Sequence, residues 1–418
     1  MVRIAILGYG VVGSGIVQVL EQNRVHIEKQ AGGPVTIVRV LDKRDFSEEL
    51  GSMYTQDFES ILNDPEIQVI AEVMGGIDPA YDYVKRALLA GKHICTSNKE
   101  LVAKHGAELL EIAEKYDVNF MFEASVGGGI PLIRPINLGL TSDSIIAVSG
   151  ILNGTSNYML TQMNNFGKSY EEALKEAQNL GYAENDPTAD VGGFDACRKL
   201  AILLSLATGH QVDFEDILTE GIQGVGPVDF AFARALGFTV KLMVDGRIRP
   251  EGLSAMVAPM LVHHYQPLSA VTGVFNAVMV QAKATGTVMF YGHGAGKLPT
   301  AGAMISDMVD IAKHLNRHTV FSWSREKVHV LPPDGYVTRK LVRISCDNRE
   351  DLQKIKQKIK EKIKIKGAQI IELPEYPGQI AWMTDPETEK ETRDYLKGFT
   401  EVKAERVLRL YEPEALID

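Results

Sequence analysis

The feature that most constrains this chain is Gly8-Tyr9-Gly10-Val11-Val12-Gly13, which follows the apolar run Val2–Leu7 without a gap and opens an amphipathic stretch. Glycines at this spacing between a strand and a helix answer three separate demands. Gly8 permits a tight turn, Gly10 lets the backbone approach a pyrophosphate, and Gly13 lets helix and strand pack closely. The alternation continues behind it. Val35–Leu41, Gln68–Met74, His93–Thr96 and Val118–Phe122 read as short apolar strands, and the stretches from Val12, Ala80–Ala90 and Glu100–Lys115 as amphipathic helices. That order predicts an α/β protein whose N-terminal part is a doubly wound parallel sheet of the Rossmann kind, with a dinucleotide at its C-terminal edge.

From about Ile130 the pattern changes. Asn153–Gln162, Tyr170–Asn179 and Phe194–Thr208 have helical spacing, whereas Phe238–Val244, Ser254–Val262 and Phe275–Lys283 read as strands, which predicts an α+β second domain. Thr300–Asn316 is one more helical pattern, and Trp323–Gly335, with Pro332 and Pro333, reads as an aperiodic linker. A third unit follows as strand Leu341–Cys346, helix Arg349–Ile363, strands Ala368–Leu373 and Gln379–Met383, helix Glu387–Lys397 and strand Val402–Leu410, the βαββαβ order. The expected layout is therefore a dinucleotide-binding domain over 1–130 and 298–318, a substrate and dimerisation domain over 131–297, a linker over 319–338, and a C-terminal unit over 339–413.

Composition narrows the function classes. With 45% apolar and 23% charged residues over 418 positions, the chain can bury more than one core. A net charge of −10 with interleaved signs offers no broad basic face, so neither nucleic acid nor a membrane surface is expected as partner, and a small molecule is. The basic run Lys354–Lys366 carries Ile355, Ile359, Ile363 and Ile365 at the spacing of a solvated amphipathic helix. Cys95, Cys197 and Cys346 fit no metal-ligand pattern and suit reduced thiols in a cytoplasmic protein. No signal-peptide pattern or apolar stretch of about 18 residues is present.

Several side chains carry chemistry. Asp42 ends the second strand where a carboxylate can bind ribose hydroxyls, yet Arg39, Lys43 and Arg44 beside it suit a 2′-phosphate, so the motif leaves NAD and NADP both open. The segment Gly181–Lys199 packs Glu184, Asp186, Asp190, Asp195 and Lys199 into a turn and the start of a helix. Asp195 and Lys199 are i,i+4 neighbours, a spacing that serves a surface ion pair as well as it serves a proton-transferring lysine beside acids that grip a substrate amine. Lys99 ends Thr96-Ser97-Asn98-Lys99 at the C-terminal end of a strand, facing either the cofactor crevice or solvent. His263-His264 are neighbours on a strand, point to opposite faces, and are taken as structural.

With Gly8–Gly13, Thr96–Lys99, Glu123–Pro131, Leu152–Tyr158, Gly181–Lys199 and Gly292–Asp307 in view, the chain resembles homoserine dehydrogenases over nearly its whole length. The resemblance implies NAD(P)-dependent interconversion of L-aspartate 4-semialdehyde and L-homoserine, in threonine, methionine and isoleucine biosynthesis. By it Lys199 is the proton donor and acceptor, Lys99 contacts substrate and nicotinamide, Glu184 and Asp195 bind homoserine, and Asp190 supports the site. It also implies that Gly8, Gly10, Val11, Val12, Gly13, Arg39 and Gly294 meet the cofactor. A monovalent cation, sodium, is implied at Glu123 and the carbonyls of Val126, Gly128 and Ile130. A homodimer or homotetramer is expected. The C-terminal unit resembles an ACT domain, the kind that binds an amino-acid effector. Its first turn, Asp347-Asn348-Arg349-Glu350, lacks the glycine that makes room for one, so a weak threonine response or none at all is expected. Its expected task is assembly, with the Ile355, Ile359 and Ile363 stripe against a neighbouring subunit or domain. Two rivals remain: another amino-acid or semialdehyde dehydrogenase of this plan, and a non-catalytic nucleotide sensor, for which the two lysines and paired acids have no use.

Overall fold

The computed structural model describes residues 1–321, 323–346, 348–362, 370–399 and 403–413. Asp347, Ile363 and Ile365 lie outside the described residues. The chain forms two compact units, one of Met1–Ile145, Arg198–Asp216 and Met279–Val328, the other of Ile146–Cys197, Ile217–Val278 and His329–Asp418.

In the first unit the strands β1 (Val2–Leu7), β2 (Val35–Leu41), β3 (Tyr54–Thr55), β4 (Val69–Glu72), β5 (His93–Thr96) and β6 (Phe120–Met121) lie in the order β3-β2-β1-β4-β5-β6, parallel throughout. This 3-2-1-4-5-6 order reverses direction between β1 and β4, so a crevice opens past their C-terminal ends. Ile4, Ile6, Val69 and Ala71 on these strands pack with Ile16 of the helix Val11–Gln22 and with Met304 and Met308 of the helix Lys297–Lys313. Each large side chain so buried contributes roughly 1.5–3 kcal/mol, and together they fix both helices on the sheet. The unit takes in Met279–Val328, beginning earlier than the 298 expected because the strand Gly286–His293 packs with it as well as the helix that follows.

The stretch read as a linker is partly ordered: Ser324–Lys327 pairs in parallel with His210–Gln211, and Trp323 is buried with its indole N–H on Gln211 Oε1 at 3.1 Å. A strand of four exposed polar residues carries no hydrophobic alternation, so pattern alone passes over it.

In the second unit the strands Phe275–Ala282, Ile145–Ile151, Phe238–Arg249 and Gly252–His263 follow one another, and the sheet continues through Lys403–Leu410, Lys340–Ser345, Gln379–Met383 and Ile370–Glu372. The last four have the expected strand and helix order, with the two helices at Arg349–Lys362 and Glu389–Lys397, and their 4-1-3-2 arrangement is fully antiparallel. The junction is parallel, Met260 opposite Arg409 and Leu261 opposite Leu410. Ile355 and Ile359 are buried against Val342, Ile344 and Trp382, so this part of the isoleucine stripe faces its own sheet and not a neighbouring subunit or domain.

Candidate active site

The turn after β1 is built as its glycines suggest. Gly8 has φ +103°, and a Cβ there would come within 3.1–3.2 Å of Val73 and Met74 beyond β4. At Gly13 a Cβ would sit 2.1 Å from the Gly8 carbonyl oxygen, a collision that no rotamer relieves. At Gly10 it would meet nothing within 4 Å. That open space lies over the N-terminus of the helix Val11–Gln22, with Val11 exposed, so the turn fits a pyrophosphate.

Beside it, Asp42 is buried and its carboxylate is filled. Oδ2 accepts from Tyr9 N at 2.7 Å and from Arg44 Nη2 at 2.9 Å, while Oδ1 accepts from Arg44 N at 2.9 Å and Arg44 Nε at 3.0 Å. These donors hold its carboxyl down at about 2, the Arg44 guanidinium first among them. Arg44 also donates to the Tyr9 carbonyl at 3.1 Å and lies over the Phe46 ring, its side chain 56% exposed. Arg39, by contrast, sits at the level of Ala5 and donates to Val38 O. The structure brings Arg44 to the glycine turn and leaves Arg39 on the body of the strand.

Across the crevice, Glu72 at the end of β4 is fully buried and ties two loops together. Its oxygens accept from Met74 N at 2.8 Å and Thr96 Oγ1 at 2.6 Å, and burial raises its pKa. Thr96 in turn holds Asn98 N at 2.9 Å, and Asn98 caps the helix Lys99–Lys115 by accepting from Leu101 N. Lys99 therefore opens a helix whose first turn is fixed from two sides. Lys199 is buried, with 8% of its surface exposed, and its neighbour Arg198 pairs with Glu100 at 2.9 Å in the same unit.

In the second unit the acidic turn is organised from a distance. Asn153 caps the helix Gly154–Phe166, accepting from Ser156 N at 2.8 Å, and its amide Nδ2 donates to Asp190 Oδ1 at 2.7 Å and Asp195 Oδ2 at 2.9 Å. Thr155 Oγ1 donates to the Tyr182 carbonyl at 2.6 Å. The two carboxylates are thus drawn to one amide, Asp195 buried and Asp190 half-buried, while Glu184 is exposed. Asp195 and Lys199 lie one turn apart on the continuous helix Phe194–Thr208. Asn153 and Glu72 are the residues that sequence reasoning missed. The first stands in the Leu152–Tyr158 motif, where an Asn before a helical run signals a cap. The second has no local signal beyond an acid at an apolar strand's end.

Glu123 is also filled. Oε1 accepts from Leu132 N at 2.6 Å and Ile133 N at 2.9 Å, and Oε2 from Arg134 N at 2.9 Å and Arg134 Nε at 3.2 Å. A carboxylate has about four lone-pair sites, so this one has no room for a cation as well. Its loop carries Gly127 and Gly128 at φ +77° and +55°, with a Cβ on Gly128 falling 2.7 Å from the carbonyl of Gly294. Among the described residues no group of three or more His, Cys, Asp or Glu is placed to hold a metal. His263 and His264 have ring centroids 6.2 Å apart.

Residues 8–123 match the family model for the homoserine dehydrogenase NAD-binding domain, and residues 131–309 match the homoserine dehydrogenase model. The homoserine dehydrogenase of Bacillus subtilis (strain 168) is 42% identical over 318 residues, covering 75% of this chain and 73% of that protein. This chain belongs to the homoserine dehydrogenase family. It is an NAD(P)-dependent oxidoreductase that interconverts L-aspartate 4-semialdehyde and L-homoserine. A homoserine dehydrogenase structure from Thiobacillus denitrificans superposes at a TM-score of 0.89 with 33% identity, covering 98% of both chains. A hyperthermophilic archaeal homoserine dehydrogenase mutant in complex with NADPH is 25% identical with a TM-score of 0.63, covering 74% of this chain and 97% of that one. Among the described residues no helix is long and apolar enough to cross a membrane, and Cys95, Cys197 and Cys346 are buried.

Proposed function

We propose that Lys199 gives and takes the alcohol proton, that Glu184 and Asp195 hold the substrate ammonium with Asp190 in support, and that Lys99 steadies the substrate beside the nicotinamide. The observation that carries this reading is Asn153 joining Asp190 and Asp195, the latter in the first turn of the helix Phe194–Thr208 that also carries Lys199. Two carboxylates on one amide make a focused negative site suited to an ammonium. A bound nicotinamide gives up or receives the hydride at the substrate carbon that bears oxygen. In the reducing direction Lys199 protonates the oxygen as it becomes an alkoxide, and in the oxidising direction it takes that proton back. Replacing Asp190 by Asn and measuring homoserine and cofactor KM separately tests the assignment: homoserine KM should rise alone.

For the cofactor, we infer a preference for NADP. Asp42 accepts four hydrogen bonds within the protein, so it has no lone pairs left for ribose hydroxyls, while the guanidinium of Arg44 and the exposed Lys43 offer positive charge at the end of β2. Calorimetry with adenosine 2′,5′-bisphosphate against ADP checks this without turnover. The 2′-phosphate should strengthen binding at least tenfold, and Arg44→Ala should remove most of that gain; equal binding of the two nucleotides overturns the preference.

The remaining proposals are coarser. A sodium ion at the Glu123–Ile130 loop would be held by main-chain oxygens of Glu123, Val126, Gly128 and Ile130, since the Glu123 carboxylate is filled; exchanging Na⁺ for choline should then lower the melting temperature. The antiparallel 4-1-3-2 sheet supports an ACT-like C-terminal unit. Assembly as a homodimer or homotetramer, residence in the cytoplasm, supply of threonine, methionine and isoleucine biosynthesis, and a weak threonine response complete the reading. Light scattering of the full chain and of a truncation after Pro333, each with and without threonine, tests assembly and effector together.

A further inference from the structure

Arg409, next to last in the strand Lys403–Leu410, has a side chain 6% exposed that lies between two carboxylates. It donates to both oxygens of Glu220 at 2.7 Å and to both oxygens of Glu389, at 2.9 and 3.0 Å. Such two-pronged pairs fix geometry as well as charge. Glu220 is the informative partner. Its own N–H donates to Val257 O at 2.7 Å, and two residues on, Ile222 N donates to Val191 O at 2.8 Å. The segment 220–222 is therefore bonded to a strand on one edge and to the acidic turn on the other. The fit leaves no slack: a Cβ on Gly221 would fall 2.4 Å from Val191 O and 2.8 Å from Gly192 Cα, and one on Gly193 would fall 3.1 Å from Thr219 Cγ2. Val191–Gly193 is the stretch that joins Asp190 to Asp195, the two acids held by Asn153.

We propose that Glu220 is a positioning residue for the substrate acids, anchored by Arg409, so that the C-terminal strand sets the placement of the acidic turn. The proposal rests on the reading of Asp190 and Asp195 given above. A shift of Glu220 passes to Val191 through the hydrogen bond from Ile222 N, and from there along the backbone between the two acids; because it moves a binding group and leaves the reacting atoms in place, it weakens the hold on substrate before it slows turnover. Nearby, Arg406 of the same strand and Arg343 of the adjoining strand Lys340–Ser345 both pair with the buried Asp229, at 3.8 and 2.9 Å.

The test uses the full-length enzyme with Glu220→Ala, Glu220→Gln, Asp190→Asn and the Glu220→Ala/Asp190→Asn double variant. Homoserine KM, cofactor KM, kcat and melting temperature are measured for each. Glu220→Ala should raise homoserine KM roughly 3–10-fold with cofactor KM and kcat nearly unchanged, and should lower the melting temperature, since buried Arg409 loses one of its two carboxylates. Glu220→Gln, which still accepts from Arg409, should recover part of the loss. In the Asp190→Asn background Glu220→Ala should add little, because both act at one place. If Asp190→Asn raises homoserine KM but Glu220→Ala does not, the positioning role is overturned alone. Multiplying effects in the double variant, or equal rises in both KM values, overturn it too. If Asp190→Asn leaves homoserine KM unmoved, the site reading fails and takes this proposal with it.

Discussion

The glycine turn after β1 and the acidic turn before Lys199 solve opposite problems. In the first, backbone shapes the space: Gly10 leaves it open, Gly13 lets the helix close on the strand, and the nearby acid Asp42 is occupied within the protein. In the second, side chains do the work, and their placement comes from Asn153 and Thr155 on another helix. A backbone site is written in adjacent residues because only local sequence controls φ and the absence of a Cβ. A side-chain site is written in pieces, since each carboxylate needs a partner that the fold delivers from elsewhere.

The contrast can be broken most forcefully at Lys199. Lys199→Ala should lower turnover ~10²–10⁴-fold while cofactor affinity measured by fluorescence titration stays the same. Near-normal turnover would remove this lysine from the mechanism. Gly10→Val should abolish measurable binding of NAD and NADP alike without lowering the melting temperature, because the added side chain enters open space and meets ligand only. A variant that binds either nucleotide normally would show that the turn is not the phosphate cradle. At the acidic turn a smaller effect is expected from Glu184→Gln, a rise of about tenfold in homoserine KM with kcat held, as loss of a charge that grips the substrate equally before and during reaction.

The smallest effect on turnover belongs to Lys241, which lies under the helix capped by Asn153 and donates to Asn157 Oδ1 at 3.4 Å. Burial pushes it down to about 8 from an ordinary value near 10.5. Between those values the unfolded chain holds a proton that the folded chain lacks, so stability rises with pH across the window, by ~3 kcal/mol at most. Lys241→Met should therefore be more stable than wild type at pH 7, with the difference shrinking toward pH 10 in urea melts. Parallel curves would show that the group does not titrate there.

Much of this was legible in the chain. Alternating runs gave the order of β1, β2, β4 and β5, because fully buried parallel strands are continuous apolar stretches. The two-residue edge β3 and the strand Ile145–Ile151 were not, the one too short for a pattern and the other sitting in a change of period. Arg39, Lys43 and Arg44 stand together around Asp42 in sequence, which does not say that Arg44 is the one that curls back to the turn. Glu123 reads as a ligand on its own, and only the amides of Leu132, Ile133 and Arg134, brought back by the loop, reveal that its oxygens are taken.

The parallel pairing of Met260 and Leu261 with Arg409 and Leu410, extended by Tyr411 N on Leu261 O at 2.9 Å, has a consequence for synthesis. The strand Gly252–His263 leaves the ribosome about 150 residues before its partner, which at 5–20 residues per second is on the order of 10–30 s. Through that interval the end of its outer edge at Met260 and Leu261, beyond the part paired with Leu218–Thr219, has hydrogen-bonding groups open to any passing strand. A nascent chain stalled in that stretch should be the form most dependent on chaperones, and an early stop codon should yield aggregate before it yields a shortened enzyme.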